Sequence, residues 1–212
     1  MIGIVDYGMG NLFSVSKALE RLGVPYIISD NKEQLAHAEG LILPGVGAFR
    51  DAMKLLNETG LSSFIVDQAQ KGKPVLGICL GMQLLFEESE ENGLHTGLGL
   101  LKGRAVHFDG VDKSGTSYKV PHMGWNRLVF HHESPLTAGL EEEHVYFVHS
   151  YYVTGETKES LIASADYFGE VPAVVGKDNV FGMQFHPEKS GDLGMGLLGN
   201  YTRYVKNMEV LK

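Results

Sequence analysis

The chain has 212 residues, a formal net charge of −8, 43% hydrophobic residues and 21% charged residues. That acidic balance argues against nucleic acid or an anionic membrane as the main partner, and the length predicts a single domain, residues 1–212, around one sizeable core. A lone cysteine excludes an internal disulfide and a zinc site built on clustered cysteines.

The N-terminus lacks the basic-then-apolar pattern of a signal peptide, and no apolar run is long enough to cross a bilayer, so a cytoplasmic location is expected. Ile2–Val5 reads as a short buried strand, followed by the turn Asp6-Tyr7-Gly8-Met9-Gly10. Leu12, Val15, Leu19 and Leu22 share one helical face, ended by Gly23. Tyr26–Ser29 and Leu41–Leu43 are further short strands, the second halted by Pro44-Gly45-Val46-Gly47. Helical spacing returns through Phe49, Met53 and Leu56 and again over Phe64–Ala69. Pro74–Ile78 then reads as a buried strand and Gly81–Glu88 as a helix.

From Gly103 to Gln184 the pattern changes to strands and turns, with examples at Val145–Val148, Leu161–Ala165, Ala173–Val175 and Val180–Gln184; a helix over Leu193–Lys206 closes the chain. Strands alternating with helices predict an open α/β sheet, mostly parallel and covered on both faces, with an antiparallel extension.

The segment Gly77-Ile78-Cys79-Leu80-Gly81 puts a nucleophile-type residue at a strand-to-helix junction between two glycines, the layout of a nucleophile elbow. Such a bend lifts the sulfur above the sheet end, and the helix N-terminus behind it favours a thiolate. The Leu80 N–H would point where an oxyanion forms. The bland alternative is a buried core cysteine.

A cysteine nucleophile needs a base, and the base benefits from an orienting group. His186-Pro187-Glu188 follows the strand Val180–Gln184; in extended backbone His186 and Glu188 point to the same side, so the carboxylate reaches one ring nitrogen while the other faces Cys79. Taken alone, this tripeptide also suits a surface turn. Gly45-Val46-Gly47, after another strand, is readable as a backbone anion cradle beside Cys79 or as an ordinary turn; it lacks the further residues of a phosphate loop.

Together these segments resemble the class I, triad-type glutamine amidotransferases, in which Gly-x-Cys-x-Gly carries the nucleophile and a late His-Pro-Glu completes the triad. Asp6–Asn11, Pro44–Phe49, Pro121–Asn126 and Tyr146–Tyr151 resemble the family of glutaminase subunits of imidazole glycerol phosphate synthases, and the resemblance runs from residue 2 to the final helix. It implies catalysis by Cys79, His186 and Glu188, with an oxyanion site at Leu80, Gly45, Val46 and Gly47. It further implies L-glutamine held by Gln83, His149, Ser150 and Tyr151, and no cofactor or metal.

The implied partner is the cyclase subunit of the synthase, which takes up the ammonia in histidine biosynthesis and meets this chain around Asn11, Met123, Trp125 and Lys189. Without the resemblance, Trp125 is as readily a core residue. The order cysteine, histidine, acid differs from that of α/β serine hydrolases. A glutaminase of another pathway, a γ-glutamyl hydrolase and a binding module with an inert cysteine remain the rival readings.

Overall fold

The computed structural model of the chain describes residues 1–210. The first half runs β1 (Ile2–Val5), α1 (Leu12–Arg21), β2 (Tyr26–Ser29), α2 (Lys32–Ala36), β3 (Gly40–Gly45), α3 (Phe49–Glu58), α4 (Leu61–Gln70), β4 (Val75–Cys79) and α5 (Leu80–Leu84). Then come β5 (Phe86–Ser89), β6 (His95–Thr96), β7 (Leu101–His107), β8 (His122–Arg127), β9 (Val129–Phe130), β10 (His144–His149) and β11 (Tyr151–Thr154). The chain finishes with β12 (Leu161–Asp166), β13 (Glu170–Lys177), β14 (Val180–Met183), a 3₁₀ turn at Pro187–Lys189 and α6 (Gly191–Val210).

Eight strands form the main sheet in the order β2-β1-β3-β4-β14-β13-β12-β9. The first five are parallel and the last three extend the sheet antiparallel. The central strands are buried on both faces, which explains their continuous apolar runs. Their side chains still alternate: Leu41 and Leu43 join one core cluster while Ile42 joins the other. α1 and α6 cover one face with Val15, Leu19, Leu197 and Leu198; α3 and α4 cover the other with Phe49, Met53, Leu56 and Ile65. Each such buried side chain contributes about 1.5–3 kcal/mol of transfer free energy. Tyr201 is also fully buried, and its hydroxyl donates to the Leu41 and Pro74 carbonyls at 2.7 and 3.1 Å.

β8 and β10 pair as a separate antiparallel ribbon, and β11-β7-β5-β6 form a third sheet. Among the described residues no helix is long and apolar enough to cross a membrane.

The structure corrects two expectations. The helix expected over Gly81–Glu88 stops at Leu84, and Phe86–Ser89 is a strand. Its one apolar residue, Phe86, is buried and the strand pairs with β7 and β6, so tertiary pairing overrides the helical spacing. The strand expected to halt at Pro44 continues to Gly45, with Pro44 opposite Ile78 and Gly45 opposite Cys79. The Leu41 N–H bonds toward β4, so by alternation the missing N–H of Pro44 faces β1, whose pairing already ended at Ile42.

Candidate active site

Cys79 ends β4 and begins α5 with φ 56° and ψ −115°. A non-glycine residue in this region is strained by about 1–3 kcal/mol, so the surroundings must enforce it. They do so through the flanking glycines. A Cβ on Gly77 would run into the Gly81 carbonyl, and one on Gly81 into the Leu43 carbonyl. The sulfur-bearing residue is left 9% exposed at the carboxyl edge of the sheet.

β14 lies beside β4 in parallel register, with Met183 opposite Ile78, and so delivers His186 to the same edge. His186 is 5% exposed, and its Nδ1 lies 3.0 Å from Glu188 Oε1. The ring also hydrogen-bonds the Cys79 side chain, which with Nδ1 engaged falls to Nε2. Burial alone would push the imidazole pKa down. The hydrogen bonds to Cys79 and Glu188, with the negative charges of both, outweigh burial and raise it to about 10. The ring is therefore an imidazolium at neutral pH.

His186 is extended, as the sequence predicts, but it caps the 3₁₀ turn, so Glu188 does not continue that extended backbone and reaches back from within the turn. Proline at the first position of that turn excludes a longer strand. Ser190 pins the turn, donating to the His186 carbonyl at 2.7 Å and accepting from the Tyr146 N–H at 3.0 Å.

Cys79 and His186 open onto a cavity of about 420 Å³, which Leu80, Val46 and Gly47 also line. Gln83, His149, Ser150 and Tyr151 complete its predicted wall. Gly45 and Glu188 do not line the cavity; Glu188 instead lines a separate cavity beside α1. Gly45 belongs to β3, and the same alternation aims its N–H at β4, which leaves Val46 and Gly47 as the loop residues that line the cavity with Cys79. A larger cavity of about 720 Å³ lies against residues 130–139 but holds none of the candidate residues, so chemistry rather than size selects the smaller one.

Both amide hydrogens of Gln83 are committed, to the Tyr151 carbonyl at 2.9 Å and to Gln184 Oε1 at 3.1 Å; its own oxygen remains as an acceptor. The sequence reading missed Glu91, which also lines the cavity. Its Oε2 accepts the Phe49 N–H at 2.7 Å, which leaves Oε1 for a ligand. Embedded in Glu87-Glu88-Ser89-Glu90-Glu91, it looks like part of a solvated acidic run. Tyr7 was not singled out either. Its hydroxyl is buried beside Gly45 with no hydrogen-bond partner among the described residues, and burial, then the charge of Cys79, raise its pKa.

Met123 and Trp125 are 59% and 57% exposed, which excludes the core reading of the tryptophan. They lie opposite Val148 and Tyr146 across the β8–β10 ribbon. Val148 lines the cavity as well, so an apolar stripe runs to its mouth. Lys189 is exposed, and half-buried Asn11 caps α1 by accepting the Ser14 N–H at 3.3 Å.

The glutamine amidotransferase class-I family profile matches residues 3–200. The imidazole glycerol phosphate synthase subunit HisH of Geobacillus thermodenitrificans is 66% identical over 209 residues, covering 99% of this chain and 98% of that protein. The protein of the same name from Bacillus subtilis is 59% identical over 212 residues, covering all of both chains. Among solved structures, a glutamine amidotransferase superposes with a TM-score of 0.74 at 22% identity, covering 98% of this chain and 97% of the other. PurLQS from Thermotoga maritima does so at 0.72 and 22%, covering 96% and 98%; at these identities the likeness shows the fold alone.

Proposed function

The chain belongs to the class I glutamine amidotransferase family, and from that premise we propose that it is the glutaminase subunit of an imidazole glycerol phosphate synthase, acting as one cytoplasmic amidotransferase domain. The observation that carries this reading is a strained cysteine hydrogen-bonded to an imidazole whose other nitrogen is held by a buried carboxylate, at a cavity of about 420 Å³.

The Cys79 thiolate attacks the side-chain amide carbon of L-glutamine. The oxyanion that forms is met by the Leu80 N–H and by the Val46–Gly47 backbone. His186, protonated and steadied by Glu188, gives its proton to the nitrogen as the carbon–nitrogen bond breaks, and ammonia leaves. Water then attacks the glutamyl thioester with His186 as the base, glutamate departs and the thiolate is restored. In the cavity, Glu91 Oε1 matches the α-ammonium of glutamine, and the oxygen of Gln83 accepts a further N–H.

Ammonia passes to a cyclase subunit, which forms imidazole glycerol phosphate and aminoimidazole carboxamide ribonucleotide. The apolar stripe of Met123, Trp125 and Val148 at the cavity mouth, with Asn11 and Lys189 nearby, is the docking face for that subunit. A cap there keeps ammonia from leaking into solvent.

The test is ammonia release from glutamine by the chain alone and with the cyclase plus its ribonucleotide ligand. Strong stimulation by the liganded cyclase is expected. Full turnover by the isolated chain would point to a stand-alone glutaminase or γ-glutamyl hydrolase. No turnover in either case would remove the glutaminase reading.

A further inference from the structure

His122 is 2% exposed and His149 is 7% exposed. His122 Nδ1 lies 3.1 Å from His149 Nε2, and His149 Nδ1 lies 2.8 Å from the Tyr151 carbonyl oxygen. At the other end, His122 Nε2 lies 3.3 Å from Asn126 Nδ2. The Asn126 amide is oriented by two groups of fixed character: its Nδ2 donates to the Asp166 carbonyl at 2.7 Å, and its Oδ1 accepts the Arg127 N–H at 2.8 Å.

These contacts admit one proton arrangement. A carbonyl oxygen only accepts, so His149 Nδ1 must carry a hydrogen. In a neutral ring His149 Nε2 is then an acceptor, so His122 Nδ1 must donate to it. His122 Nε2 is in turn an acceptor and takes the second hydrogen of Asn126 Nδ2. The Asn126 end reaches the same answer independently. An extra proton on either ring would set two donors face to face. Desolvation disfavours such a charge: His122 is 2% exposed, stacked between Phe147 and Tyr167 with centroids 4.4 and 4.0 Å away. In keeping with this, burial lowers the pKa of His122 to about 4 and that of His149 to about 3.

The chain of bonds ends where the glutamine pocket begins. The Tyr151 carbonyl accepts from His149 on one side and from Gln83 on the other. His122 and Asn126 point inward from β8, while Met123 and Trp125 of the same strand point outward.

We infer that Asn126, His122 and His149 form a one-directional hydrogen-bonded chain that positions the Tyr151 carbonyl, and through it Gln83, from the inner side of the ribbon whose outer side is the docking face. Both histidines are positioning residues, held neutral with the proton on Nδ1. The kinetic part rests on the glutaminase reading above.

Two measurements on the assembled complex test it. The first is long-range nitrogen–proton correlation NMR of the histidine rings, assigned by loss of signals in His122→Phe and His149→Phe. Two neutral rings with hydrogen on Nδ1 are expected, and hydrogen on Nε2 of either ring overturns the proposal. This measurement stands even if the wild-type complex releases no ammonia, an outcome that would sink the glutaminase reading alone.

The second measurement is the kinetics of His122→Phe, which keeps an aromatic ring in the stack but removes the donor, and of Asn126→Asp, which replaces the Nδ2 donor with an acceptor. Each is expected to raise KM for glutamine about tenfold, the size of one net hydrogen bond, while kcat changes less than about threefold and affinity for the cyclase is kept. Unchanged KM in both variants overturns the proposal. So does a loss that only follows a lowered melting temperature.

Discussion

Glu188 Oε1 sits 3.0 Å from His186 Nδ1, and the two side chains are only 2% and 7% exposed. Glutamine at 188 could still accept the Nδ1 hydrogen and hold the ring's orientation, but it would remove the negative charge that favours the imidazolium. Glu188→Gln is therefore expected to lower kcat about 10- to 100-fold while changing KM for glutamine less than about threefold. Steady-state ammonia release by the complex measures both constants, and an unchanged kcat would show that the carboxylate charge is dispensable.

The buried histidines make opposite predictions for stability against pH. The folded pKa of His186 is raised from 6.5 to about 10, so its contribution is complete below pH 6.5 and is lost as pH climbs through 10. His122 and His149 are lowered from 6.5 to about 4 and about 3, so theirs is present above pH 6.5 and lost as pH falls through those values. Urea midpoints across this range should describe a dome. His122→Phe should flatten its acid side and leave its alkaline side in place.

A Cβ at position 81 meets the Leu43 carbonyl, which is backbone and cannot swing aside. Gly81→Ala should destabilise the fold by more than about 3 kcal/mol, and its recovery as soluble protein should fall sharply. A melting temperature within a few degrees of wild type would mean that the elbow yields more easily than its geometry implies.

The orphaned Tyr7 hydroxyl predicts a substitution without penalty. A buried donor lacking a partner costs about 1–3 kcal/mol, so Tyr7→Phe should melt at the wild-type temperature or above it. A clear drop in calorimetry would reveal a partner for that hydroxyl.

Trp125 is 57% exposed, so its truncation should leave the isolated chain's melting temperature unaltered. If the proposed docking face meets the cyclase, Trp125→Ala should weaken cyclase binding by about 2 kcal/mol, roughly 30-fold in Kd. Titration calorimetry with the cyclase reads this directly.

Much of this architecture is legible in the sequence, because glycines at 77 and 81 and apolar runs at Ile2–Val5 and Val75–Ile78 have few other uses. The segment after Leu84 misleads because Leu84, Leu85 and Phe86 are equally apolar in a helix or a strand; only pairing with the later strand Leu101–His107 decides. The short helix Lys32–Ala36 is signalled only by its cap, Asn31, which accepts from the Glu33 and Gln34 N–H groups. Glu91 hides in an acidic run, and the partnering of His122 with His149 joins residues 27 apart, which no local spacing announces.

Cys79 ends β4, and His186 lies three residues past the end of the neighbouring parallel strand β14, the two strands aligned as Met183 beside Ile78. The spacing of the sheet, about 4.8 Å between strands, thus brings the two close, and the pinned turn after β14 completes the placement. A substitution in the Val46–Gly47 loop at the cavity rim therefore leaves the strand spacing beneath the two residues as it is.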